Sequence, residues 1–181
     1  IMRKVEILAP VGNIDMLTAA ISAGANAVYL SGKNFGARAF ANNFTNEELA
    51  GAIKLCHLYG VLAYVTINTV IFESEIDDVV KYIDYLYEND VDAIIIQDLG
   101  LSSIVRHRFP NLAMHASTQI NAETLEDCKV HSKLGFSRVI LGREVSIDTI
   151  KEIKEGLKKE NIDLEIEAFV HGAICISYSG G

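Results

Sequence analysis

Asn89-Asp-Val-Asp-Ala-Ile-Ile-Ile-Gln-Asp98 decides the fold. Its centre, Ala93-Ile-Ile-Ile96, is apolar on both faces of an extended chain, whereas a strand half in water alternates apolar with polar. Such a strand needs cover on both sides, as in a parallel sheet flanked by helices. The preceding stretch, Asp77-Asp-Val-Val-Lys-Tyr-Ile-Asp-Tyr-Leu-Tyr87, sets Val79, Val80, Ile83, Leu86 and Tyr87 on one helical face with charges opposite. The joint recurs: Ala23-Gly-Ala-Asn-Ala-Val-Tyr-Leu-Ser-Gly32 and Leu134-Gly-Phe-Ser-Arg-Val-Ile-Leu-Gly-Arg143 repeat the helix end, small turn, apolar strand and polar exit.

Extended along the chain, this alternation predicts strands at Val5–Ala9, Ala27–Leu30, Leu62–Thr66, Ala93–Gln97, Ala113–Ala116, Val139–Leu141 and Leu164–Phe169. Helices are expected at Ile14–Ala23, Asn46–Tyr59, Glu75–Glu88, Leu99–Arg108, Ala122–Leu134 and Ser146–Lys159. Thr45 with Glu48 three residues on, and Ser146 before Ile147, are helix-start signals. The expected class is α/β, a (β/α)8 TIM-type barrel, for which about 250 residues are typical. With 181 residues and seven expected strands it is incomplete, and residues 1–181 form one domain. A doubly wound open sheet is the alternative, but the first loop, Ala9-Pro-Val-Gly-Asn13, carries a lone Gly12 and no Gly-x-Gly-x-x-Gly fingerprint.

Composition narrows the function classes. The 16 basic and 24 acidic residues give a net charge of -8, and a pI near 5.1 argues against a broad phosphate-gripping face. No apolar run reaches the roughly 20 residues of a membrane span. Cys56, Cys128 and Cys175 are widely spaced, with no Cys-x-x-Cys pair, which suits a reducing compartment. A cytoplasmic protein is expected.

Polar residues gather where strands end. They are Asn68, Gln97, His115 with Ser117 and Gln119, Arg143, and finally Glu167, His171 and Cys175; Arg38 sits in a long loop after the second strand. In a barrel such ends meet at one mouth. Arg38 and Arg143 carry the planar fork that suits carboxylate or phosphate, and with Asn68, Gln97, Ser117 and Gln119 they form the expected substrate-binding set. His115 and His171 are candidate proton carriers or donors, and Glu167 a base or an ion-pair partner. Cys56 and Cys128 fall in helical patterns and read as small core residues. His57, His107 and His131 lie on helices without ligand spacing.

The order Glu6-Ile-Leu-Ala-Pro-Val-Gly-Asn13, Ala27-Val-Tyr-Leu-Ser-Gly32, Arg38-Ala-Phe-Ala-Asn-Asn-Phe44, His115-Ala-Ser-Thr-Gln119 and Glu167-x-Phe-x-x-Gly-Ala-Ile-Cys175 resembles the collagenase-like peptidases, family 32 of the peptidases of unassigned catalytic type. That family's signature continues through Gly180 to a second Cys, so the sequence reads as the N-terminal part of a longer protein. The resemblance implies two activities. One is proteolysis, for which the residues offer Cys175 as nucleophile with His171 as base, or a dyad of His115 and Ser117. The other is hydroxylation of an RNA base or a related aromatic substrate by an iron–sulfur protein. There Cys175 would be one ligand of a 4Fe–4S cluster completed by later cysteines, and no cluster is expected on residues 1–181 alone. The second activity is the favoured expectation, with Glu167, His171, Cys175 and His115 at the reacting centre. A third class, a binding module for an acidic small molecule, needs only Arg38, Arg143 and Gln119. Expected partners are RNA or peptide substrate, no membrane, and a second copy of the chain exchanging elements through open strand edges.

Overall fold

The computed structural model describes residues 5–37, 43–172 and 179. Its elements, in order, are β1 (Leu8–Val11), α1 (Ile14–Ser22), β2 (Ala27–Ser31), α2 (Asn46–Leu58), β3 (Leu62–Ile67), α3 (Ile76–Glu88), β4 (Ala93–Ile96), α4 (Leu99–Arg108), β5 (Ala113–Ala116), α5 (Leu125–Lys133), β6 (Arg138–Ile140), α6 (Ile147–Lys159) and β7 (Glu165–Glu167), with single 3-10 turns at Glu73–Glu75 and Thr118–Ile120. The strands form a parallel α/β sheet in chain order. Among the described residues no helix is long and apolar enough to cross a membrane.

The chain divides into two compact units, Ile1–Ile94 and Ile95–Gly181. In the first, β1, β2 and β3 run parallel in the register Leu8↔Ala27↔Leu62, and the Asp92 N–H donates to the Ala63 carbonyl at 3.1 Å just before β4. Leu17, Leu49, Ile53, Ile83 and Leu86 bring the helix faces into its core, each essentially sealed from water. In the second, the Ser117 N–H donates to the Ile96 carbonyl at 2.9 Å, and β5, β6 and β7 run parallel with His115↔Arg138↔Glu165 in register. Every residue of β4 is buried, as its unbroken apolar run requires.

The repeated joint has a physical cause. Five helices end on a residue in the left-handed region: Gly24 (φ 86°), Gly60 (69°), Asp90 (60°), Gly135 (91°) and Asn161 (55°). The next N–H then turns back onto the last helical turn, from Ala25 to the Ala20 carbonyl, Val61 to Cys56, Val91 to Leu86, Phe136 to His131 and Ile162 to Leu157. This double closure satisfies carbonyls that a helix end leaves open. The polar residue that follows in each repeat ties the joint to the previous strand. Asn26 and Asp92 each accept a backbone N–H, from Ile7 at 2.9 Å and from Ala63 at 2.8 Å, while the Ser137 N–H and hydroxyl both reach the Met114 carbonyl.

Three strands, β1, β6 and β7, differ from the sequence expectation at both ends, and β2, β3 and β4 differ by one residue at the last position. β1 starts at Leu8 rather than Val5, because Ile7 spends its N–H and carbonyl on Asn26. It runs through Pro10, which fits a strand whose described pairing is to β2 alone. β7 stops at Glu167 rather than Phe169: Glu165 N–H to the Ser137 carbonyl and Leu141 N–H to the Glu167 carbonyl, both 3.0 Å, are its outer bonds to β6. β6 includes Arg138, a charge that its apolar neighbours conceal.

Candidate functional site

His115, Arg138 and Glu165 occupy register-matched positions on β5, β6 and β7, so their side chains leave the sheet on one face. Glu167 lies two residues along β7 on the same face. The Arg138 guanidinium donates through Nε and Nη2 to Glu165 Oε2, at 3.0 and 2.6 Å, and through Nη1 to Glu167 Oε2 at 3.2 Å. Its side chain is only 9% exposed, against 51% for Glu165 and 18% for Glu167. A guanidinium this deep is tolerable because two carboxylates share it, one from each end of β7.

His115 was expected as an exit residue; it lies within β5 instead, 4% exposed. Burial, and then the Arg138 charge, push its pKa from 6.5 down to about 3. The imidazole is therefore neutral at physiological pH. General-base catalysis works best with a pKa near the operating pH, and this ring is set well below it.

The exits after β5, β6 and β7 hold one another. The Arg143 guanidinium stands 4.6 Å from the centre of the Phe169 ring, a cation–π distance. Ser179 donates its N–H to Glu144 Oε1 at 2.9 Å, and its hydroxyl accepts the Arg143 N–H at 3.5 Å. The Asn121 amide, oriented with its nitrogen as donor, reaches the Ser179 carbonyl at 2.7 Å and Glu123 at 3.1 Å. Hydrogen bonds from its own N–H and from Ser179, with Arg143 adding a weaker pull, hold the Glu144 carboxyl below the usual carboxylate range. Glu167 and Ser179, which flank Cys175 in the sequence, are thus both held by neighbouring side chains.

Ser117 is buried and its hydroxyl accepts the Gln119 N–H at 3.3 Å. Next to it, the Thr118 hydroxyl and the Gln119 amide oxygen are buried with no hydrogen-bond partner among the described residues. Gln97 is half-buried at the end of β4, beside Asp98, which caps α4 through the Leu101 N–H at 2.8 Å. Asn68 accepts the Ala37 N–H at 3.1 Å and braces the loop after β2. His171 is exposed. Arg38 and Cys175 lie outside the described residues.

Arg138 escaped the sequence reading, which placed the cations at Arg38 and Arg143. The available signal was a charge inside the apolar run Phe136-Ser-Arg-Val-Ile-Leu141, together with Glu165 and Glu167 alternating on the next strand. Among the described residues no group of three or more His, Cys, Asp or Glu could hold an ion. Cys56 and Cys128 are buried, and burial raises both thiols to about 11. They remain protonated and unsuited to ligation.

The family model described as Peptidase family U32 matches residues 12–181. An uncharacterized protease of Methanocaldococcus jannaschii is 42% identical over 179 residues, covering 99% of this chain and 43% of the relative. The 23S rRNA 5-hydroxycytidine C2501 synthase of Escherichia coli K12 is 37% identical over 177 residues, covering 98% of this chain and 26% of the relative. The chain spans less than half the length of these curated relatives. A solved U32 peptidase, Mk0906, superposes with a TM-score of 0.77 at 13% identity, over 96% of this chain and 71% of that one. With the seven parallel strands, that likeness gives the fold as an incomplete TIM-type barrel.

Proposed function

Because the chain belongs to peptidase family U32, we propose that the protein it forms part of is a cytoplasmic enzyme that hydroxylates a base in RNA. The similarity to an rRNA hydroxycytidine synthase over 98% of the chain supports this reading. The observation that weighs against a peptidase built on His115 and Ser117 is the burial of that imidazole. A cysteine or serine peptidase needs an imidazole able to take a proton at working pH, and burial beside Arg138 denies His115 that ability. A neutral imidazole suits a different task, orienting a polar substrate by hydrogen bonding.

In this reading the Gln119 amide oxygen accepts an N–H of the base. Arg143, its face against Phe169, directs donors to a phosphate or carbonyl. Glu167, fixed by Arg138, holds the start of the signature segment. Cys175 ligates an iron–sulfur cluster whose other thiolates come from elsewhere in the full-length protein, because Cys56 and Cys128 do not fit that role. When bound, such a cluster supplies electron transfer. Pairing of two copies through the outer edges of β1 and β7 belongs to the same proposal.

Proteolysis stays as the second reading on one observation, the 42% identity to a relative named as a protease. It would place the chemistry on Cys175 and His171. The deciding experiment uses the full-length gene product, purified without oxygen, as wild type and Cys175→Ser. Iron, acid-labile sulfide and visible absorption are measured, alongside mass spectrometry of RNA from cells carrying each form. Cluster and hydroxylated base are both expected in wild type and lost in Cys175→Ser. No cluster in either form, with gelatin cleavage abolished by Cys175→Ser, would overturn the proposal in favour of the peptidase.

A further inference from the structure

The unit Ile1–Ile94 contains a cavity of about 700 Å³ at the exits of β2 and β3. That volume lies within the range of small-molecule sites. Phe35, Phe72, Tyr82 and Tyr85 supply aromatic wall, and the charged side chains Lys33, Lys81, Glu75 and Asp78 line it as well. Phe35 holds φ at 61°, an uncommon conformation for a bulky residue and one that marks functional loops more often than inert ones. Its ring lies 6.0 Å from that of Tyr82.

Tyr82 is 5% exposed, and its hydroxyl is buried with no hydrogen-bond partner among the described residues. Burial raises the phenol's pKa, so it stays protonated, a donor lacking an acceptor. Gly32 abuts this hydroxyl so closely that any Cβ there would collide with it. The space is reserved for the phenol although the phenol bonds nothing within the described chain, a costly arrangement unless something else accepts the hydrogen. The charges at the rim are already partly spent. Lys81 pairs with Asp78 at 3.2 Å, and Glu75 accepts the Phe72 N–H at 2.9 Å. Lys33 has no ion pair among the described residues and is exposed.

We propose that this cavity takes one unstacked nucleobase, stacked on Phe35 and Phe72, with a carbonyl or ring nitrogen accepting from the Tyr82 hydroxyl and the nucleotide's phosphate on Lys33. Aromatic faces accept any base, and one orphaned donor fixes orientation. The proposal rests on the RNA reading above and adds to it a second subsite, for a nucleotide other than the one modified.

Calorimetric titration of the full-length protein with the four 5′-mononucleotides tests it, with inorganic phosphate and N-acetylphenylalanine amide as comparisons. Binding of at least one nucleotide is expected. Tyr82→Phe should weaken it roughly five- to tenfold, and Lys33→Ala should weaken it and flatten its salt dependence. Without ligand, Tyr82→Phe should melt no lower than wild type, because it removes a polar group that has no partner. Equal affinity in wild type and Tyr82→Phe, phosphate binding as tightly as nucleotide, or preference for the phenylalanine amide would each overturn the proposal. So would a lower melting temperature in unliganded Tyr82→Phe, which would show the hydroxyl already satisfied. Nucleotide binding without RNA hydroxylation would sink only the catalytic reading, and hydroxylation without nucleotide binding only the subsite.

Discussion

Arg138 and His115 form one electrostatic arrangement in which a buried cation, held by Glu165 and Glu167, keeps a neighbouring imidazole uncharged. The sign of its pH dependence follows directly. The folded pKa of about 3 lies below the ordinary 6.5, so between those values the unfolded chain binds the proton that the folded chain refuses. This stabilisation is complete above pH 6.5, falls as pH drops toward 3, and then levels. Its slope is at most about 1.4 kcal/mol per pH unit. His115→Gln should flatten that part of the profile, measured as the difference from wild type in urea unfolding between pH 7 and 4. An unchanged slope would show that His115 titrates normally. Polar character near strand ends is what singles out Glu167, Gln119 and His115 in the sequence. The burial of His115 was not legible, since it depends on which residues lie beside it in the neighbouring strands. Arg138 was hidden for the same reason: a charge inside a strand makes sense only once its carboxylates are known to be adjacent.

At the level of elements, the joints between helices and strands are the most regular feature, and the most legible. The recurring Gly, Asp or Asn after five of the six helices reads directly as a left-handed residue. The boundaries of β1 and β7 were less legible, because a parallel strand is as long as its neighbour allows, and no local pattern records the neighbour's length. The joints also rank substitutions. Gly24 has open space where a Cβ would stand, so Gly24→Ala should cost only its backbone strain, about 1 kcal/mol. Gly135→Ala should cost more, since its Cβ would press on the Arg106 guanidinium, which donates to the Gly135 carbonyl. Asp90→Gly, at φ 60°, should be neutral or stabilising by about 0.5 kcal/mol. Thermal unfolding of the three variants checks the order; Gly24→Ala as harmful as Gly135→Ala would remove the role given to Arg106.

For the molecule as a whole, a net charge of -8 limits how RNA would be held under the proposed function. In that reading contacts through a few cations such as Lys33 and Arg143 would release few counterions, so any binding of RNA to residues 1–181 alone should weaken only gently with salt. A log–log slope shallower than about -2 is expected. A slope beyond about -5 in filter binding would mean an extended basic surface that the composition does not suggest. The joints carry one further implication. Each fastens its strand by bonds that refer only to the helix just finished and the strand just before it, so the instructions for adding a β-strand are local and portable. A gene that duplicated such a segment would copy the fastening along with the strand, while the opposite strand ends stayed free to diverge. Growth of this architecture by repetition, with chemistry drifting at one end and anchorage conserved at the other, is the history such joints make easy.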